Sequence, residues 1–217
     1  MKQLSRIGFL LAVLASVCPL DSAAGEASGK GAQLTFCCDK DNDLLLALTD
    51  SSARIRRVDT PEKAVAEAPA GSAVLILADR YPAQKTKISS SGWDAAKTKR
   101  LRMFVEYPAS LPGFETTAPT RIKWERGVIT TDAFGAALPK DRILAIHDCH
   151  FLSAETSNPL MVIAKVAGYD RAVYGLPPDS FPILYEQPEH NLIVATTKLS
   201  GFAKARYAPA EDSRQRS

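Results

Sequence analysis

The sequence lacks the short signatures that mark nucleophilic and nucleotide-dependent chemistry. It contains no G-x-S-x-G or G-x-C-x-G elbow, no P-loop and no G-x-G-x-x-G turn. It also lacks a strong charge bias, since 27 Lys and Arg against 24 Asp and Glu leave a net charge of +3. Nucleic-acid-binding domains concentrate basic residues on one face, so we expect no nucleic-acid partner.

Cysteine is scarce, and its number argues against a disulfide-stabilised fold. Of the four cysteines, Cys18 falls in the N-terminal apolar segment and leaves Cys37, Cys38 and Cys149. An odd number in an exported protein is not a disulfide framework. Adjacent cysteines rarely pair with each other because neighbours do not meet the bridge geometry. We expect buried free thiols, with a bridge from Cys37 or Cys38 to Cys149 as the alternative.

Apolar runs long enough to span a membrane are also absent, and the longest apolar run lies at the N-terminus. Lys2 and Arg6 precede an apolar stretch from Ile7 to Leu20, and small residues follow at 22–24. A membrane-spanning helix needs about 20 apolar residues, whereas this three-part layout is typical of a secretory signal peptide. We predict a signal peptide over residues 1–24 of an exported, periplasmic or secreted, bacterial protein.

A lipid anchor on Cys18 is the alternative to simple export. The bulky Val17 before it disfavours this alternative, because lipoprotein processing prefers a small residue at that position. Residues 25–32 are predicted to be a flexible lead-in, and we expect no membrane-spanning segment once the signal is removed.

The first half of the mature chain alternates between apolar strands and helices. A helix start is clearest at Thr60-Pro61, where Thr60 is the predicted N-cap and proline takes the first helical position; Asp41 is the predicted N-cap of an earlier helix. Such alternation predicts βαβ units, hence an α/β fold with an open, mostly parallel sheet and helices on both faces. The predicted strands are Leu34–Cys37, Ile55–Val58, Ala73–Ala78 and Leu101–Glu106, and the predicted helices lie at 43–48, 60–68 and 92–99.

The second half contains short β-like runs separated by Gly, Pro and Asn. This pattern favours antiparallel hairpins at one edge of the sheet. A closing helix is predicted over Ser200–Tyr207, a single domain over 33–209 and a polar tail over 210–217. The predicted strands are Ile122–Trp124, Val128–Thr131, Ile143–Ile146, Leu160–Val166, Ala172–Tyr174, Ile183–Tyr185 and Leu192–Thr196.

Polar residues follow three strands of the predicted parallel sheet. Ligands of such sheets bind beyond the carboxyl ends of the strands, so we expect these residues to form a ligand-binding edge. Three carboxylates among them, Asp39, Asp79 and Glu106, are also weak candidates for acid–base catalysis. The ligand-binding candidates are Asp39, Asp41, Asp79, Arg80, Tyr81, Glu106 and Tyr107.

The segment His147-Asp148-Cys149-His150 is the densest group of metal-binding residue types. Zn²⁺ takes such ligands at short spacings, and His147, Asp148 and His150 are therefore weak candidates for a metal site. In a strand, His147 and His150 would point to opposite faces, which favours structural packing. We predict no cofactor.

Three longer segments carry a resemblance to a known family. They are AVLILADRYP from Ala73, LRMFVEYPASLPG from Leu101 and NLIVATTKLSGFAKARYAP from Asn191. The chain resembles the non-catalytic class I glutamine amidotransferase-like domains of secreted bacterial proteins associated with carbohydrate metabolism. The resemblance spans roughly 33–209 and implies a flavodoxin-like sheet.

The departures from the active members of that family decide the expected function. The position of their cysteine elbow here reads Val105-Glu106-Tyr107-Pro108, and their downstream His-x-Glu pair is not evident. We expect a non-catalytic domain that binds a carbohydrate or a protein partner at the strand ends. The alternatives are a carboxylate-dependent glycan hydrolase and a metal-dependent hydrolase around His147 and His150. The sequence predicts no oligomeric state.

Overall fold

A computed structural model describes residues 33–49, 51, 53–123, 125–146, 149–201 and 207–209. The predicted signal peptide, lead-in and polar tail lie outside these residues. None of the described helices is long and apolar enough to cross a membrane.

Strands and helices alternate through the first half of the described chain, as predicted. Thr60 caps the second helix, because its hydroxyl accepts a hydrogen bond from the Lys63 N–H, and Ser89 caps the third by accepting from Gly92 N–H. The elements are β1 (Gln33–Cys37), α1 (Asp43–Thr49), β2 (Arg54–Val58), α2 (Pro61–Glu67), β3 (Ala73–Ile76), α3 (Ser90–Thr98) and β4 (Arg102–Glu106).

In the described part of the second half, the regular elements are strands and two 3-10 helices, Gly135–Ala137 and Pro188–His190. The strands are β5 (Ser110–Leu111), β6 (Phe114–Glu115), β7 (Pro119–Arg121), β8 (Arg126–Ile129), β9 (Ile143–Ile146), β10 (His150–Leu152), β11 (Pro159–Ala164), β12 (Phe181–Gln187), β13 (Leu192–Ala195) and β14 (Tyr207–Pro209).

One mixed sheet contains most of these strands. Its order is β14-β9-β8-β11-β12-β13-β4-β3-β1-β2. The five strands β2, β1, β3, β4 and β13 run parallel. In the remaining part of the sheet, β14-β9-β8-β11-β12-β13, every pair of neighbouring strands is antiparallel. The prediction of an α/β fold with parallel strands in the first half is confirmed.

Two apolar clusters account for most of the buried core. The larger includes Leu34, Phe36 and Phe104 of the parallel strands together with the α1 leucines 44, 45 and 48. The other includes Val74, Val105 and the buried residues of α2 and α3, such as Val65 and Ala96. Alternate residues of a strand point to opposite sides of a sheet, which explains why β4 contributes Phe104 to one cluster and Val105 to the other.

Three sequence-based assignments in the second half were wrong or fall partly outside the described residues. Residues Ala172–Tyr174 form a turn rather than a strand, because Gly175 follows with a φ of 75°. A strand lies at Pro119–Arg121; of the predicted strand Ile122–Trp124, Ile122 and Lys123 are not in a strand, and Trp124 is outside the described residues. Of the predicted helix Ser200–Tyr207, residues 202–206 are outside the description, and Tyr207 begins strand β14.

Candidate functional site

The carboxyl ends of the parallel strands lie together at one edge of the sheet. In register, Cys37 of β1 stands beside Ile76 of β3, and Ile76 beside Val105 of β4. Glu106 then stands beside Ala195 of β13. The chain segments that follow these strands therefore meet, and they carry most of the residues predicted to bind a ligand.

Glu106 is the centre of this edge, and it is completely buried. One carboxylate oxygen, Oε1, accepts hydrogen bonds from the backbone N–H groups of Leu199 and Ser200 at 2.8 and 2.6 Å. The other, Oε2, accepts from Ala78 N–H at 3.0 Å and from the Ser200 hydroxyl at 2.8 Å. The carboxylate thus joins β4 to the segments that follow β3 and β13.

Burial raises the pKa of Glu106, although the hydrogen bonds from Ala78, Ser200 and Leu199 and the nearby Lys198 act in the opposite direction. Each oxygen already accepts two hydrogen bonds, and no part of the side chain is exposed. Glu106 is therefore placed to hold the strand ends together, and its geometry does not offer it to a substrate.

Asn42, which was not among the predicted site residues, extends this network. Asn42 is buried, and its Nδ2 donates to the Ser200 hydroxyl at 3.1 Å. Its Oδ1 accepts from the backbone N–H groups of Leu44 and Leu45, so Asn42 rather than the predicted Asp41 caps α1. An asparagine directly before an apolar helix was the available signal, but Asp41 beside it has the same preference.

The other predicted carboxylates lie nearer the surface. Asp39 and Asp41 are exposed, while Asp79 is half-buried. The Oδ1 atom of Asp79 is buried and has no hydrogen-bond partner. Burial, with a contribution from the charge of Asp39, raises the pKa of Asp79, against a hydrogen bond from the Asp39 backbone. The carboxylates of Asp79 and Asp39 are therefore neighbours.

Arg80 and Tyr81 continue the segment after β3. Arg80 is exposed and donates to Gln84 Oε1 at 3.2 Å. The Tyr81 hydroxyl donates to the His150 carbonyl at 3.0 Å and accepts from the His150 N–H and the Thr197 hydroxyl. Tyr81 therefore fastens this segment to β10 and to the residues after β13.

Tyr107 occupies the position where the resemblance places a cysteine elbow. Its φ of 48° is in the left-handed region, which a bulky residue rarely adopts. The ring is 1% exposed and packs edge-to-face on Tyr81, with 5.0 Å between ring centroids. Its hydroxyl has no hydrogen-bond partner, and burial raises the pKa of that hydroxyl.

The three described cysteines are buried, and they form no disulfide bond with one another. Burial, with nearby carboxylates such as Asp79, raises the pKa values of Cys37 and Cys38 to about 12. Because the thiolate is the nucleophilic form, neither thiol is suited to nucleophilic attack at neutral pH. Cys149 Sγ lies 3.4 Å from the Thr197 hydroxyl.

The metal-site prediction falls largely outside the description. His147 and Asp148 are not among the described residues, while His150 begins β10 and is half-buried. Within the described part of the chain, no group of three His, Cys, Asp or Glu side chains could hold a metal ion.

A surface depression of about 310 Å³ lies away from the predicted site. Lys97, Arg100, Glu189 and His190 contribute to its lining. It sits beside the amino ends of β4 and β13, at the opposite edge of the sheet from Glu106, and no predicted ligand-binding residue lines it.

No protein-family model, no curated protein and no solved structure gives a significant match to the chain.

Proposed function

We propose that this chain is an exported, non-catalytic α/β domain, flavodoxin-like and amidotransferase-like in fold, that binds a carbohydrate at the carboxyl edge of its parallel strands. The observation that carries the proposal is the complete burial of Glu106 within four hydrogen bonds. The Glu106 carboxylate holds the strand ends together. The exposed polar groups near it are then the ones that can contact a ligand.

The strand order supports the flavodoxin-like part of the proposal. The parallel strands follow the order β2-β1-β3-β4-β13, which corresponds to the 2-1-3-4-5 order of doubly wound flavodoxin-like sheets. The separation of α1 from α2 and α3 into different core clusters supports helices on both faces.

The non-catalytic part rests on three kinds of side chain. Glu106 is enclosed, Tyr107 stands at the predicted elbow without a nucleophile, and the Cys37 and Cys38 thiols have pKa values raised to about 12. None of them offers an accessible nucleophile or base to a bound molecule at neutral pH.

The exposed groups at this edge suit sugar hydroxyls. Asp39 and Asp41 present carboxylates, which accept hydrogen bonds from hydroxyl pairs, and Arg80 presents N–H donors. The half-buried Tyr81 adds an aromatic ring that its hydrogen bonds to His150 and Thr197 hold in place. A rigid ring near carboxylates and a guanidinium matches the chemistry of a pyranose.

Calorimetric titration against a panel of neutral and acidic oligosaccharides tests the proposal. We expect at least one ligand whose affinity falls about tenfold or more in Asp39→Ala and in Arg80→Ala, the cost of a charged hydrogen bond. Asp94→Ala is the matched control, because Asp94 is exposed on α3. Equal affinity in all three variants would place the ligand elsewhere, and no binding by the wild type would reject a carbohydrate ligand.

One observation favours a second candidate, a carboxylate-dependent glycan hydrolase. Asp79 has a raised pKa and a partnerless buried oxygen beside the exposed Asp39, which is a suitable pairing for a general acid and its partner. Turnover of aryl glycosides by the wild type, lost in Asp79→Asn, would favour hydrolysis over binding alone.

The export part of the proposal rests on residues 1–24. Expression of the full chain in a bacterium, followed by N-terminal sequencing of the protein from the periplasm or medium, should give a chain that begins near Gly25. A lipid-modified protein beginning at Cys18 would support the anchored alternative, and an uncleaved cytoplasmic chain would reject export.

A further inference from the structure

The connector between β11 and β12 carries most of the exposed large apolar side chains. Six such side chains are exposed in the described part of the chain. Five of them fall within 169–181, and the sixth is Leu46 on α1. Soluble proteins seldom cluster exposed apolar groups unless the cluster contacts a partner or a membrane. The five are Tyr169, Val173, Tyr174, Leu176 and Phe181.

Val173 and Tyr174 form the tip of this connector. The Gly175 N–H donates to the Ala172 carbonyl at 3.0 Å, so a β-turn closes around these two residues. Glycine at the end of such a turn is common. Val173 is 67% exposed and Tyr174 is 87% exposed. Side chains this exposed project from the protein surface, which favours insertion into a lipid layer over contact with a flat protein surface.

The base of the turn is firmly attached to the sheet. Ala172 is buried, and its N–H donates to the Asp141 carbonyl at 2.9 Å. The Ile143 N–H donates to the Asp170 carbonyl at 2.8 Å. At Gly168, a Cβ atom would lie 1.9 Å from the Arg171 carbonyl oxygen, so the chain there is tightly folded. The exposure of the tip is therefore built into an ordered loop.

Exposed cations lie at the base of the turn. Arg171 directly precedes the turn and donates to the Lys140 backbone carbonyl at 3.3 Å, so these two residues are adjacent, and both side chains are exposed. Lys165 is exposed as well but pairs with Glu125 at 3.8 Å, and Asp179 is the exposed carboxylate of residues 165–180. Basic groups beside an apolar surface are attracted to anionic lipid headgroups.

We propose that the 172–176 turn is a membrane-surface contact, in which Val173, Tyr174 and Leu176 enter the interfacial layer of an anionic bilayer and the side chains of Lys140 and Arg171 lie at its headgroups. Tyrosine favours this layer because its ring is apolar and its hydroxyl polar. The contact is reversible and superficial, since one short turn buries far less apolar surface than a spanning helix. It is independent of the strand-end site proposed above.

A tryptophan placed in the turn of the full chain tests this contact at its own position. Tyr174→Trp is mixed with vesicles of phosphatidylcholine and phosphatidylglycerol whose acyl chains carry bromine. We expect a blue shift and quenching of its fluorescence beyond the change seen in the wild type. Leu46→Trp is the matched control, because Leu46 is an exposed apolar residue on α1, and it should show no added change.

Two further measurements separate the alternatives. Val173→Ser with Tyr174→Ser should lower vesicle binding about tenfold or more, and added salt or pure phosphatidylcholine should weaken it. If the fluorescence of Tyr174→Trp is not quenched by the brominated vesicles, the proposal is overturned, even when the N-terminal segment of the full chain binds them. A dimer in sedimentation that the double serine variant dissociates would instead assign the turn to contact between copies of the chain.

Discussion

Glu106 is a fully buried carboxylate at the end of β4, and its hydrogen bonds come from distant parts of the chain. Its position at the end of an apolar strand is readable, and the structure keeps it there. Its four hydrogen-bond donors come from Ala78, Leu199 and Ser200, which are 28 to 94 positions away. The sequence does not show which distant donors converge on a side chain, so the burial of Glu106 could not be predicted.

Replacing Glu106 with glutamine should destabilise the fold. The amide NH₂ would face at least one backbone N–H that now donates to a carboxylate oxygen, and a buried donor left without an acceptor costs about 1–3 kcal/mol. Urea denaturation would measure the loss in free energy of unfolding. Glu62→Gln, on the exposed start of α2, is the control and should change little. Equal stabilities would contradict the hydrogen-bonding role assigned to Glu106.

The raised pKa of Asp79 predicts a pH-dependent effect of Asp79→Asn. A carboxyl whose folded pKa exceeds its unfolded value near 3.8 binds its proton more tightly in the folded state. Stability from this group is therefore full below that value and falls as pH rises through the folded pKa. Asp79→Asn removes the penalty of the buried charge, so it should stabilise the protein at pH 7 by up to about 1 kcal/mol.

Thermal melts at several pH values would check this sign. The gain in Asp79→Asn should shrink towards acid pH, where the wild-type carboxyl is protonated in both states. The exposed Asp94→Asn should show no such pattern. A variant that is less stable than the wild type at pH 7 would mean that the Asp79 charge is favourable in the fold.

At the scale of elements, the start of α2 was predicted well because its signal is local. Thr60 followed by Pro61 fixes the start of α2 through one side chain and one fixed φ angle. The prediction of a strand at Ala172–Tyr174 was wrong, although its apolar residues favour a strand. The positive φ of Gly175 and the hydrogen bonds between residues 170–172 and the segment at β9 stabilise a turn there instead. Those bonds join segments about 30 residues apart, which no local pattern reports.

The cap of α1 offers a test at this scale. Asn42→Ala should cost about 1–2 kcal/mol of stability, since it removes the cap oxygen and also the donor to Ser200. Asn42→Ser keeps a side-chain oxygen for the cap but loses the donor to Ser200, so it should cost less. The free energy of unfolding of each, alone and combined with Ser200→Ala, gives the coupling between the two residues. Additive losses would show that the Asn42–Ser200 bond contributes nothing.

At the scale of the whole molecule, the parallel and antiparallel parts of the sheet share one core. The larger apolar cluster joins Phe36 and Phe104 of the parallel strands to Ile129, Met161 and Ile163 of the antiparallel ones. Strand β13 lies between the two parts, parallel to β4 and antiparallel to β12. The composition of the second half predicted hairpins, but its late strand belongs to the parallel sheet, and only long-range pairing determines that.

A shared core predicts that the two parts unfold together. Ile163 is fully buried on β11, and Ile163→Ala should cost about 2–5 kcal/mol through lost contacts and a residual cavity.

In a Trp124→Phe background, fluorescence follows Trp93 on α3, in the parallel part, while far-ultraviolet circular dichroism follows the whole sheet. Both probes should shift to the same lower urea midpoint, whereas the exposed Leu46→Ala should leave it nearly unchanged. If Trp93 kept its wild-type midpoint while the dichroism signal moved, the antiparallel strands would form a separate folding unit, because two-state unfolding requires coincident transitions.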